Sequence, residues 1–385
     1  MWKIFIFLFL VTNLLSCSEQ RQRQSSVKVT EKDSLFMLVG SYGSADQEGV
    51  KLYSFNQESG IMNYISGIHG ISNPSYLAPS RNGKRVYVVS ENETETSTAN
   101  ALSLDLSEGK LNFMNSELTQ GAAPCYIALS PNEDFVLTAN YNGGNISVFR
   151  LNENGELLRP RVISFMGHGT DSIRQDRPHL HCISFTPDGK YTLAVDLGTD
   201  CVHMFLINAQ DNNTHIPFLN EDHPQNYVLP AGSGPRHICF SPDQKFVYLI
   251  TELSGDVIVM SYNDINTKII QTIKADTLGA RGSADIHITP DGRYLYASNR
   301  LKGDGIAIFK INQSTGLLTK VGYQLTGIHP RNFVISPNGK FLLVACRHSN
   351  EIQLYQIDPS TGLLRDTGKR VNTPEPTCLK FVKRT

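Results

Sequence analysis

Apolar residues in this chain come in short runs, and the same polar turn introduces each run. Ser130-Pro131-Asn132, Thr186-Pro187-Asp188-Gly189-Lys190, Ser241-Pro242-Asp243, Thr289-Pro290-Asp291-Gly292-Arg293 and Ser336-Pro337-Asn338-Gly339-Lys340 are five copies, and Ser80-Arg81-Asn82-Gly83-Lys84 is a sixth without the proline. Proline presets φ for a turn, and Asn or Asp before Gly tolerates the left-handed region. Runs such as Val86-Tyr87-Val88-Val89 and Phe246-Val247-Tyr248-Leu249-Ile250 follow. Apolar on both faces, they suit strands covered on both sides. An alternating third strand comes next, as in Gly305-Ile306-Ala307-Ile308-Phe309, and a Gly turn then leads to a weaker fourth. Sustained 3.6-residue periodicity is missing after the N-terminal segment.

Four strands per unit, repeating every 47–56 residues or so, predict an all-β, seven-bladed β-propeller over residues 34–385. The single Trp, Trp2, argues against WD repeats. The first unit, Leu35-Phe36-Met37-Leu38-Val39, lacks an inner strand before it, and Pro376-Thr377-Cys378-Leu379-Lys380-Phe381-Val382 matches the inner strand Pro330–Ile335. The last strand is therefore expected to complete the first blade, which removes a sheet edge.

The N-terminus stands apart. Ile4 to Leu15 is almost wholly apolar after Lys3 and ends in Leu14-Leu15-Ser16-Cys17. That stretch is short for a bilayer span, which needs about 20 apolar residues. Residues 1–17 read as a lipoprotein-type signal with Cys17 as the lipidated residue; an ordinary secretory signal containing a Cys is the alternative. Residues 18–33 read as a flexible tether. The expectation is a lipid-anchored envelope protein, monomeric, whose only contact with the membrane is its anchor.

A net charge of −1 gives no argument for nucleic acid. The other cysteines, Cys125, Cys182, Cys201, Cys239, Cys346 and Cys378, show no paired spacing and fall in strand-like segments. They read as free and buried, with no metal or other cofactor expected.

Chemistry concentrates in two columns. Five residues before each turn Ser/Thr stand Ser75, Cys125, His181, Arg236, Ala284 and Arg331; eleven after it stand Glu91, Tyr141, Leu197, Glu252, Arg300 and Arg347. A simple hairpin puts Arg236 opposite Glu252, Arg331 opposite Arg347 and Ala284 opposite Arg300, around one mouth of the central channel. Like charges opposed across strands destabilise a sheet, so converging arginines suggest an anion or a polarised carbonyl. An ordinary Arg236–Glu252 ion pair with solvated neighbours is the bland alternative. His179 and His181 share a strand face and suit acid/base or hydrogen-bonding work better than metal, since no third ligand is near in sequence. Asp196 and Asp200 orient a histidine, cap a turn or hydrogen-bond the neighbouring blade, the turn role being the default. No nucleophile-elbow serine or Gly-rich phosphate loop is present.

Taken together, Arg177-Pro178-His179-Leu180-His181, Asp196-Leu197-Gly198-Thr199-Asp200, Gly234-Pro235-Arg236-His237, Glu252, Ser298-Asn299-Arg300 and His329-Pro330-Arg331 resemble the seven-bladed propeller lactonase family. That family includes bacterial 6-phosphogluconolactonases and a fungal carboxy-muconate cyclase. The resemblance implies hydrolysis of a small anionic lactone, with His179 or His181, Arg236, Glu252 and Arg300 catalytic. Arg331, His237, Asp196 and Asn140 are the expected substrate contacts. A non-catalytic envelope propeller that captures an anionic ligand or a protein partner is the competing class.

Overall fold

The computed structural model describes residues 34–383 except 209–216, 223 and 264–265. The stretch expected to be a signal, Cys17 and the expected tether lie outside the described residues. Seven antiparallel sheets of four strands each form the ring. Among the described residues the only named helical element is a 3-10 turn at Arg347–Ser349, and no helix there is long and apolar enough to cross a membrane.

The turns work as the sequence implies, with a specific bond behind the pattern. The Ser241 hydroxyl donates to Asp243 Oδ1 at 2.6 Å and accepts from the Phe246 amide at 3.0 Å. Thr186, Thr289 and Ser336 make the same pair of contacts in their blades. A Ser or Thr two residues before an Asx thus closes the loop and aims the next strand. Those second strands are the core: Phe135–Asn140, Phe246–Thr251 and Phe341–Cys346 are buried throughout. The outermost strands alternate, as in Leu318–Leu325, because only one face is covered.

Blades also lock to each other through tyrosines. Tyr87, Tyr248 and Tyr296 donate to the carbonyls of Gly155, Gly316 and Gly362 in the next blade, at 2.8–2.9 Å. Ring closure is as expected: Ser34–Ser41 pairs with Val50–Asn56 on one side and Pro376–Lys383 on the other, with Val39 opposite Leu379. The six described cysteines are free, five of them buried and Cys239 half-buried.

The inner hairpins depart from the simple register. Pro235 pairs with Thr251 and His237 with Ile250, which leaves Arg236 as an unpaired bulge residue. Cys125, His181 and Arg331 occupy the same bulge in their blades, and in Ser283–Ile288 both Ala284 and Asp285 are unpaired. Arg236 is therefore not directly opposite Glu252, nor Arg331 opposite Arg347. The extra residue kinks the strand and re-aims its side chain, which turns this column toward the channel.

Candidate active site

Glu252 follows the strand Phe246–Thr251, anchored by its amide to the Gly234 carbonyl at 2.7 Å. Three guanidiniums share its carboxylate. Arg236 Nε donates to Oε2 at 2.8 Å, Arg300 Nη2 lies 3.1 Å from Oε2, and Arg174 Nη2 donates to Oε1 at 2.6 Å. Burial opposes the charge on Glu252, but Arg300, Arg236 and Arg174 outweigh it and hold the carboxyl at about 2. Arg236 is 1% exposed and also donates through Nη1 to the Ala284 carbonyl and to His237 Nε2. Arg300 repeats the pattern, with Nε on the Gly282 carbonyl at 2.7 Å and Nη1 on His329 Nε2 at 3.2 Å. Burial brings Arg300 down to about 9.

Arg331 sits across the channel, 3.6 Å from Glu91. Glu91 also accepts from the Tyr42 hydroxyl at 2.7 Å and from Ser75. Arg331 and Arg347 both stack on the Tyr42 ring, at 5.5 and 4.3 Å, and Arg347 pairs with Glu375 at 2.9 Å. Repulsion between these arginines is thus relieved in part by protein carboxylates and an aromatic face, not by a ligand alone. An imbalance remains. Four guanidiniums, of Arg174, Arg236, Arg300 and Arg331, face two carboxylates, Glu252 and Glu91, an excess of two positive charges. A polar cleft of about 700 Å³ opens at Glu91, lined in part by Tyr42, Asn73, Arg347 and Asn350; the four guanidiniums named above are not in its lining.

The two histidines of Arg177–Asp200 differ sharply. His179 stacks on Tyr141 and spends both ring nitrogens, Nδ1 at 3.0 Å from the Tyr141 carbonyl and Nε2 at 3.0 Å from Asp176. His181 is a bulge residue whose buried Nδ1 has no hydrogen-bond partner among the described residues. Its ring meets Tyr141 and His237 edge-on at 5.6 and 5.3 Å. Burial, then Arg236, His237 and Arg331, push its pKa well below the usual imidazole value, so the ring is neutral. His237 is likewise buried and brought down to about 4 by burial and Arg236.

Two expected substrate contacts are engaged by neighbouring protein groups. Asp196 is fully buried and accepts from the amides of His179 and Gly198 and from Thr199, so it organises the turn. Asn140 is fully buried and donates to Asn145 and Ser147 within its own blade. Arg174, Asp285 and His329 are absent from the sequence-derived set. Arg174 comes from a loop with no repeat to align it. Asp285 did leave a signal, a charge one residue past the column in an otherwise strand-like run. Among the described residues no group of three or more His, Cys, Asp or Glu side chains is disposed to hold a metal.

Fold and site together define a propeller with buried guanidiniums and a neutral imidazole at one channel mouth, a frame for anionic ligands and acyl chemistry. The family model described as "Lactonase, 7-bladed beta-propeller" matches residues 36–381, and the chain belongs to that family. A Bacillus subtilis 6-phosphogluconolactonase is 34% identical over 89% of this chain and 97% of its own length. One from Formosa agariphila is 36% identical over 86% and 94%. Among solved structures, a Pseudomonas aeruginosa periplasmic gluconolactonase superposes with a TM-score of 0.84 at 29% identity, covering 91% of this chain and all of the other. A Bacteroides fragilis protein provisionally named 6-phosphogluconolactonase does so at 0.89 and 50% identity, covering 92% and 99%.

Proposed function

We propose that this protein hydrolyses a sugar lactone to its open acid, with a phosphorylated aldonolactone as the first candidate substrate. The observation that carries the reading is the buried neutral His181, its Nδ1 unpartnered, beside guanidiniums in excess of their carboxylates. Water attacks the lactone carbonyl carbon while His181 takes its proton. The oxyanion forms against guanidinium N–H groups of Arg236 and Arg300, and Arg331 holds an anionic substituent. The tetrahedral centre then collapses: the bond from the carbonyl carbon to the ring oxygen breaks, and that oxygen recovers the proton from His181. Glu252, with both carboxylate oxygens taken by guanidiniums, serves as the shared counter-charge that arrays the arginines. His179, with both ring nitrogens occupied, orients the loop and Tyr141.

The names of the Bacillus and Formosa relatives favour 6-phosphogluconolactone. The name of the Pseudomonas structure favours the unphosphorylated lactone, and this second reading agrees with the signal-like N-terminus and a Cys17-anchored envelope location. Base uptake on both lactones tests the proposal. Uptake above the spontaneous rate is expected, and His181→Ala should lower kcat by about 10²-fold or more. Tight binding of both lactones with no acceleration would instead support a non-catalytic propeller.

A further inference from the structure

We infer that Asp285 is a positioning residue: it fixes His237 as the Nδ1–H tautomer, and the Nε2 lone pair then holds the Arg236 guanidinium in place. This inference rests on the lactonase reading of the site. Asp285 lies on the inner strand Ser283–Ile288 of the sixth blade, whereas Arg236 and His237 lie on Pro235–Phe240 of the fifth. It is 1% exposed. Its Oδ1 accepts from His237 Nδ1 at 2.8 Å and from the Ile286 amide at 3.0 Å. Its Oδ2 accepts from His287 Nε2 at 3.0 Å, from the Phe333 amide at 3.2 Å and from the Asn332 side chain. The Ile286 and Phe333 amides and the Asn332 NH₂ can only donate, and three obligate donors favour an ionised carboxylate.

The other end of the imidazole gives the same answer independently. Arg236 Nη1 approaches His237 Nε2 at 3.3 Å, and a guanidinium can only donate. Nε2 must therefore carry the lone pair, which puts the proton on Nδ1, toward Asp285. Arg236 is in turn bonded through Nε to Glu252 and through Nη1 to the Ala284 carbonyl. The double bulge of one strand thus supplies both restraints, Ala284 by its backbone and Asp285 through the imidazole. Ala284, the small member of its column, leaves room for Arg236 to reach across from the fifth blade.

Asp285→Asn tests this. An amide that keeps its oxygen toward His287, Asn332 and Phe333 presents its NH₂ to His237. The imidazole must then move its proton to Nε2, donor against donor with Arg236. Nitrogen-15 NMR of the His237 ring should show that change of tautomer, and kcat should fall about tenfold to a hundredfold with KM within about threefold. Should Asp285→Asn fail to fold, the single variants decide: His237→Gln is expected to exceed His237→Met in kcat by at least about tenfold. An unchanged tautomer in Asp285→Asn, or equal Gln and Met variants, would overturn the inference. Should the wild type open no lactone, the NMR comparison still decides the relay while the functional reading falls.

Discussion

Glu252 carries one negative charge, and three guanidiniums share it. That sharing decides its chemistry, because a carboxylate stabilised so strongly gives up proton affinity. Glu252→Gln should therefore act first on structure. Leaving Arg174, Arg236 and Arg300 without their common partner should cost about 3–5 kcal/mol in urea unfolding, with activity lost as well. His181 is depressed by burial and the same arginines, so it stays unprotonated well below its ordinary 6.5. The acidic limb of kcat/KM should accordingly lie below pH 6.5, measured with initial rates corrected for spontaneous opening. A limb at or above 6.5 that vanishes in His181→Ala would contradict this environment.

At the scale of elements, the inner hairpin joins scaffold and site. Its turn is fixed by local chemistry, since Ser241 and Asp243 bond each other across a proline. Its far end is bent by a bulge that no turn signal announces, and this shifted Arg236 and Arg331 off their simple pairing. The strand period and turn residues were therefore legible in the chain, but the aim of the last side chain was not. A bulge reflects packing between neighbouring inner strands around the channel, and no hydrophobic alternation encodes that. Blade-to-blade locking belongs to this scale too. Tyr248→Phe removes the hydroxyl that satisfies the buried Gly316 carbonyl and should destabilise the fold by about 1–2 kcal/mol in denaturant melts, with kcat near wild type.

For the molecule as a whole, the closing strand is the decisive contact. Deleting residues 376–385 strips Ser34–Ser41 of its partner and opens the ring, so melting should become broad or shift strongly downward. A truncated chain melting like the intact one would refute that role. Stability should also respond to pH through buried histidines. In the unfolded chain these protonate near 6.5; in the fold His181 resists, His237 holds to about 4 and His329 to about 2, burial being the first cause in each. The unfolded state thus binds more protons as pH falls below 6.5, and each of these groups removes about 1.4 kcal/mol per pH unit until its folded value is reached. His203 acts in the opposite sense. Burial works against its charge, but Asp196 and Cys201 raise it to about 10, so its contribution is complete below 6.5 and fades as pH climbs to 10. Thermal unfolding followed from pH 4 to 10 should show a maximum between about 6 and 7.

By itself the sequence determined the blades: alternation, turn residues and the period of four strands are local properties that each unit repeats, and the match of Pro376–Val382 to Pro330–Ile335 announced the closure. It also placed Arg236, Glu252, Arg300 and His181 at one end of their hairpins. Only the tertiary structure decided which of these groups work together. Arg174 reaches Glu252 from a loop 78 residues earlier, and Asp285 reaches His237 from the neighbouring blade. Such contacts exist only once the ring has closed, because the channel is the one place where every inner strand meets the others.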